Sequence, residues 1–180
     1  MTASTGDDGY KVESPASFTS VIAVGGTSLT RDASTERGWT ETAWSGAGSG
    51  CSTLNAKPFW QTDATHCGKK ATADVSAVAD PATGVAVFDS YAYQGHSGWM
   101  VFGGTSASSP IVASVYALGT TATGRGGSGN PVSHTWATPG GLFDITSGSN
   151  GSCSTPVWCT SGTGWDGPTG LGTPNGTSSF

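Results

Sequence analysis

Residues 20–29 read SVIAVGGTSL, a short apolar run closed by Gly-Gly. A strand with one wet face alternates apolar and polar residues, whereas an unbroken run buries both faces, as strands do in a parallel sheet covered by helices. The strongest helix candidate lies far downstream in SPIVASVYAL (109–118), where a Pro suits a first helical turn and apolar residues lie nearly all round. GVAVF (84–88) and WMVF (99–102) read as two short strands joined by the turn-rich DSYAYQGHSG, as in a hairpin. The expectation is one α/β domain. Residues 1–118 supply sheet, hairpin and buried helix, and residues 119–180 form a loop-rich tail of Gly, Ser, Thr and Pro.

A chain of 180 residues that is 35% apolar with 7 Trp has material for a modest core, so the 29 Gly do not make it a disordered segment. The net charge is −5 and the 7 Lys and Arg never cluster, which speaks against a nucleic-acid surface. No apolar stretch is long enough to cross a bilayer, so no membrane partner is expected. The four cysteines form two local couples, Cys51 with Cys67 and Cys153 with Cys159, each spanning a loop rich in small polar residues. Without a Cys-x-x-Cys among them, disulfides are expected in preference to zinc, and with them an oxidising, extracellular setting for a secreted protein. Yet TASTGDDGY directly after Met1 has neither the basic nor the apolar region of an export signal.

One serine stands out. In FGGTSAS (102–108), Ser106 sits between a glycine turn and the expected helix. Unpaired backbone N–H groups and the positive end of the helix dipole point outward there, so negative charge developing beside the hydroxyl is stabilised. Two glycines allow a sharp approach and leave room for a substrate backbone. Such a place suits a nucleophile; the plainer reading is a helix N-cap.

The string Gly-Thr-Ser-Ala-Ser-Ser-Pro (104–110) resembles the nucleophile segment of the sedolisin, or serine-carboxyl peptidase, family, whose fold is subtilisin-like. Ala107-Ser108 is the sedolisin form, where subtilisins proper usually carry Met. ASTGDDG (3–9), PASFTSVIAVGGTSL (15–29) and ADVSAVADPATGVAVF (73–88) resemble other segments of the same family in the same order, and GLFDITSG (141–148) with GTGWDGPTGLGTPN (162–175) resembles its calcium loop. The family segment before DVSA often reads Pro-Asp, where this chain has Ala73-Asp74.

The resemblance implies cleavage of peptide or protein substrates at acidic pH through an acyl-enzyme on Ser106. Asp7 would be the oxyanion-hole donor. An ionised carboxylate repels an oxyanion and a protonated one donates to it, which gives the chemistry a reason to run in acid. The alternative for Asp7 and Asp8 is a solvated turn. Ca2+ would be held by the carboxylates of Asp144 and Asp166 and the carbonyls of Ile145, Gly162 and Gly164, as a structural ion.

A serine nucleophile needs a base. The family's Glu base and its orienting Asp lie upstream of the strand that carries Asp7 and have no counterpart in these residues, so the chain reads as the C-terminal portion of a catalytic domain. The competing reading is a non-catalytic calcium-binding extracellular module. Asp32 and Glu36 imitate the missing pair's spacing, but TRDASTERG reads as a solvated connection. His96 reads as an exposed turn residue, His66 and His134 as loop residues, and Lys57, Lys69 and Lys70 as surface charge. Residues 1–5 would form an open apolar sheet edge, prone to pair with the family's N-terminal part or with another copy. Asn150-Gly151-Ser152 and Asn175-Gly176-Thr177 are glycosylation sequons.

Overall fold

The structure, a computed structural model, describes residues 1–123 and 130–180. Strands β1 (Thr2–Ser4) and β2 (Ile22–Arg31) run parallel, with Thr2 opposite Ile22 and Ser4 opposite Val24. Residues 22–27 of β2 are buried, as an unbroken apolar run demands, and the strand then emerges into solvent. Its outer half pairs antiparallel with β3 (Trp39–Ala43). β4 (Gly50–Ala56) and β5 (Lys69–Thr72) form a separate antiparallel pair tied by the Cys51–Cys67 disulfide. β6 (Val75–Val78) returns to the main sheet, parallel to β2, with Val24 opposite Val75. At Gly25 a β-carbon would stand 2.1 Å from the Pro168 carbonyl oxygen, and at Gly26 one would stand 2.4 Å from the Ala79 β-carbon. The Gly-Gly pair therefore lets the tail and β6 close onto the middle strand.

β7 (Val85–Tyr93) and β8 (His96–Phe102) form the expected hairpin, but a longer one that turns on Gln94-Gly95. Most of the segment read as a connection is strand, with Tyr91 and Tyr93 exposed, and in the expected strands Phe88 meets Trp99 edge-to-face at 5.5 Å, both exposed as well. His96 is accordingly the first residue of β8 and not a turn residue. Helix α1 (Thr105–Thr123) begins four residues before the expected start. Ser106 is inside it, and Pro110 stands in its second turn. α2 (Val132–Ala137), for which the tail held no recognisable signal, seats Val132 and Trp136 in the core. The described rest of the tail is loops with two 3-10 turns (Pro139–Gly141 and Pro156–Trp158), a two-residue pairing of β9 (Leu142–Phe143) with β10 (Thr173–Pro174), and the Cys153–Cys159 disulfide.

The core joins Ile22, Val24 and Val75 of the sheet to Val112 and Tyr116 of α1, with Trp165 and Phe180 closing it from the tail. Tyr116 packs on Phe180 at 4.8 Å and its hydroxyl meets Thr135 Oγ1 at 2.7 Å.

Lys70 is not surface charge. It is fully buried, and its Nζ lies 2.5 Å from Asp74 Oδ2, also fully buried. Asp74 Oδ2 further accepts the Ala23 N–H at 2.8 Å, while Oδ1 accepts from Gln61 Nε2 at 2.9 Å and Trp136 Nε1 at 3.1 Å. One carboxylate thus joins β2, β5, the Gln61 loop and α2. Asn150 is likewise buried, its amide donating to Ala47 O at 2.5 Å and to Ser49 Oγ at 2.8 Å. That sequon is closed to modification in the folded chain, whereas Asn175 is exposed.

Candidate active site

The parallel strands β1, β2 and β6 end on one side of the sheet, and the start of α1 is fastened to those ends. Ser108 Oγ donates to Ala77 O at 3.0 Å or Val78 O at 2.8 Å at the end of β6, and one residue on, Ser109 Oγ donates to Thr2 Oγ1 at the opposite, amino end of β1 at 3.1 Å. Gly104 N–H donates to Ala79 O at 2.5 Å, holding the turn before the helix against the chain leaving β6. Ser106, exposed in the first turn, is therefore carried on a rigid base. Pro110 has no N–H to offer the Ser106 carbonyl, so this turn also lacks one of its helical bonds. The carboxyl ends of parallel strands are where open α/β sheets bind ligands.

Asp7 lies three residues past β1 and reaches the same helix start. Its Oδ1 accepts from the Thr105 N–H at 2.7 Å and from Thr105 Oγ1 at 2.8 Å. Thr105 is buried, and its Oγ1 in turn accepts from the Gly6 N–H at 3.1 Å. A carboxylate at a helix N-terminus is favoured by the dipole and supplies an acceptor to an otherwise unpaired N–H. The second oxygen, Oδ2, has no donor among the described residues and faces Gly104. Gly104 has φ +94°, and a β-carbon there would stand 2.6 Å from Oδ2. Only glycine leaves both the backbone turn and the carboxyl group their places. Thr105, unremarked in the sequence except as part of the motif, is what orients Asp7.

Asp144, Ile145, Gly162, Gly164 and Asp166 also come together. Asp144 follows β9 directly; its Oδ2 accepts from the Gly164 N–H at 2.9 Å, and Asp166 Oδ2 accepts from the Gly162 N–H at 3.2 Å, so the loop hangs between two carboxylates. Asp166 is fully buried, and Oδ1 accepts from Ser161 Oγ at 3.1 Å, the Thr169 N–H at 2.9 Å and Thr169 Oγ1 at 2.8 Å. All these donors are neutral. Burial pushes the carboxyl up from its ordinary 3.8 to about 7 against the pull of those bonds. Ile145 is buried and Asp144 is exposed. Among the described residues no group of three or more His, Cys, Asp or Glu could hold a metal ion, so a cation here would need backbone carbonyls besides the two carboxylates.

The model of the subtilase family matches residues 1–137. The chain belongs to that family. Within it, sedolisin of Pseudomonas sp. (strain 101) is 34% identical over 178 residues, covering 91% of this chain and 29% of that protein. Kumamolisin of Bacillus sp. (strain MN-32) is 35% identical over 182 residues, covering 93% and 31%. The solved Pseudomonas sedolisin, a serine-carboxyl proteinase complexed with two molecules of pseudo-iodotyrostatin, superposes with a TM-score of 0.79 at 30% identity, covering 97% of this chain and 52% of that one. A psychrophilic protease, S41, shares the fold at TM-score 0.61 and 20% identity. The chain is thus a serine-carboxyl peptidase relative within the subtilases, and it spans about three-tenths of the length of the two full-length relatives.

Against this subtilase framework, the residues weighed as substitute bases lie elsewhere. Asp32 turns its carboxylate onto Ser34, N–H at 2.9 Å and Oγ at 2.6 Å, which holds the carboxyl below its ordinary value. His96 pairs with Tyr93 at the hairpin tip, His66 closes a short 3-10 turn, and His134, in helix α2 and not in a loop, has its Nε2 3.1 Å from Ser178 O. Lys57 faces Asp63 at 3.5 Å, and Lys69 reaches Leu54 O at 3.3 Å. Among the described residues no side chain hydrogen-bonds the Ser106 hydroxyl.

Proposed function

We propose that this chain is the nucleophile-bearing part of a secreted endopeptidase that cleaves peptide bonds in acid. The observation that carries this reading is the placement of an exposed Ser106 on a fastened helix start with the oriented carboxyl of Asp7 beside it. Ser106 Oγ attacks the scissile carbonyl carbon, and its proton passes to a base that these described residues do not supply. The carbonyl oxygen gains charge. Asp7 is fitted to meet it: Thr105 keeps Oδ1 as an acceptor, and Oδ2, free of donors, carries the proton and gives the hydrogen bond. Collapse releases the amine and leaves the acyl group on Ser106, which water later removes. Two disulfides support an oxidising, extracellular setting.

The test is labelling by a fluorophosphonate across acidic and neutral pH, alongside digestion of an unstructured protein. With the base supplied by the family's N-terminal part, labelling and cleavage at acidic pH that disappear in Ser106→Ala are expected; loss of the nucleophile in a serine peptidase costs on the order of 10^6 in turnover. An unlabelled Ser106 that digests nothing would instead favour a non-catalytic module.

Calcium belongs to the same proposal. The fit rests on Asp166, a buried carboxylate surrounded only by neutral donors, with Asp144 across the loop. Asp144, Asp166 and the carbonyls of Ile145, Gly162 and Gly164 would hold the ion, which would lock the tail and take no part in bond cleavage. The sign of its effect follows from Asp166. Its folded pKa is raised, so the stability its protonated form confers is full below about pH 4 and is lost as pH rises to about 7. That loss is on the order of 4 kcal/mol. Calcium binds the ionised carboxylate and offsets it. In chelator the melting temperature should fall from pH 4 to 7, and added calcium should restore it more at pH 7 than at pH 4. Equal curves with and without calcium at pH 7 would remove the ion from the proposal.

A further inference from the structure

The segment that leaves β6 touches the nucleophile turn at one end and a second site at the other. Ala79 O holds Gly104 N–H, and Gly103 packs against Pro81. Four residues on, Thr83 and Gly84 help line a groove of about 640 Å³ between the outer half of β2 and the end of β8. Its walls carry Leu29, Trp39 and Val101, and also two of the chain's seven cations, Arg31 and Arg37.

The two arginines are in different states. Arg37 is fixed: its Nη2 lies 2.8 Å from Glu41 Oε1, and its guanidinium sits 3.8 Å from the Phe143 ring centroid and 5.2 Å from that of Trp39. Arg31 is exposed, and its guanidinium has no ion pair or hydrogen bond among the described residues. Three of the neighbouring acids already accept hydrogen bonds. Asp32 is turned onto Ser34, Asp80 accepts from Ser28 Oγ at 2.7 Å and the Ala82 N–H at 2.9 Å, and Glu41 Oε2 accepts from Thr173 Oγ1 at 2.7 Å. A free guanidinium fork above an apolar wall matches a carboxylate carried on a chain.

We propose that this groove is a specificity site for a carboxylate of the peptide substrate, with Arg31 as the group that reads it. The inference rests on the peptidase reading of Ser106. Val101 precedes Ser106 by five residues, so this wall of the groove lies at most about 18 Å from the nucleophile, about five positions of an extended peptide. The carboxylate is an Asp or Glu side chain or the C-terminus of a short substrate, since both offer the same two oxygens.

The test is calorimetric titration of the Ser106→Ala chain, which prevents turnover, with short capped neutral peptides and with the same peptides carrying one Glu scanned outward from the cleavage position. A third set ends in a free carboxylate at each position. At one position the acidic peptide should bind roughly fivefold tighter than the neutral one, an advantage that shrinks with salt. Arg31→Gln should remove that advantage and leave neutral-peptide affinity unchanged; Arg31→Lys should keep part of it. Whether the internal Glu or the free terminus gains more identifies the source. Equal affinity at every position, binding of no peptide, or an acidic preference that survives Arg31→Gln overturns the inference. Fluorophosphonate labelling of Ser106 in the unsubstituted chain then shows whether the peptidase reading falls with it.

Discussion

Replacing Asp74 by Ala is expected to leave this chain without a cooperative fold, or with one weakened by about 3 to 5 kcal/mol. That is a large part of the 5 to 15 kcal/mol that typically holds a domain together. Two losses combine. The Lys70 ammonium is fully buried, and the 2.5 Å contact with Asp74 is its charge partner. Removing the carboxylate leaves a cation in the core, and the Ala23 and Trp136 N–H donors lose their acceptor as well. Urea denaturation followed by tryptophan fluorescence measures the effect. The double variant Lys70→Met with Asp74→Asn should recover most of the stability, because it removes the buried charge and keeps a carbonyl for Trp136 and Gln61. An Asp74→Ala chain that melts like its parent would show the pair to be dispensable.

The second large effect is on chemistry. Asp7→Ala should slow phosphonylation of Ser106 by about 10^2 to 10^3, the cost of one oxyanion-hole donor. Asp7→Asn is the informative partner. Its carbonyl can take the Thr105 bonds now made to Oδ1, and its NH2 then stands where Oδ2 faces Gly104. Asn donates at every pH, whereas Asp donates only while protonated. On the proposed mechanism the Asn variant should therefore keep much of the rate and depend less on pH than the parent. Unchanged rates in Asp7→Ala would leave Asp7 as a helix cap and nothing more.

Some of this architecture could be read directly from the residues. β2 was legible because a strand buried on both faces leaves an unbroken apolar run, and Gly25-Gly26 marks where other backbone crowds it. Ser106 was legible because a glycine turn, a serine and an apolar helix are local in sequence, and the family motif covers all three. The hairpin was recognised but cut short. Its outer half is exposed and mixes aromatic with polar residues, so period-2 alternation never develops. α2 went unseen because six residues are too few to show a helical period.

What the sequence by itself determined is the class of fold, the family, the place of Ser106 at a helix start and the two loop disulfides, all written in short stretches whose chemistry is local. Only the tertiary structure decided that Lys70 is a core residue, that Thr105 orients an aspartate 98 positions away, that Asn150 is committed inside and that Arg31, among the described residues, is left unpaired beside a groove. The physical reason is the same each time. A charged or polar side chain has no fixed environment in the sequence. It acquires one when distant strands meet, and the desolvation it suffers there is set by partners that no local pattern names.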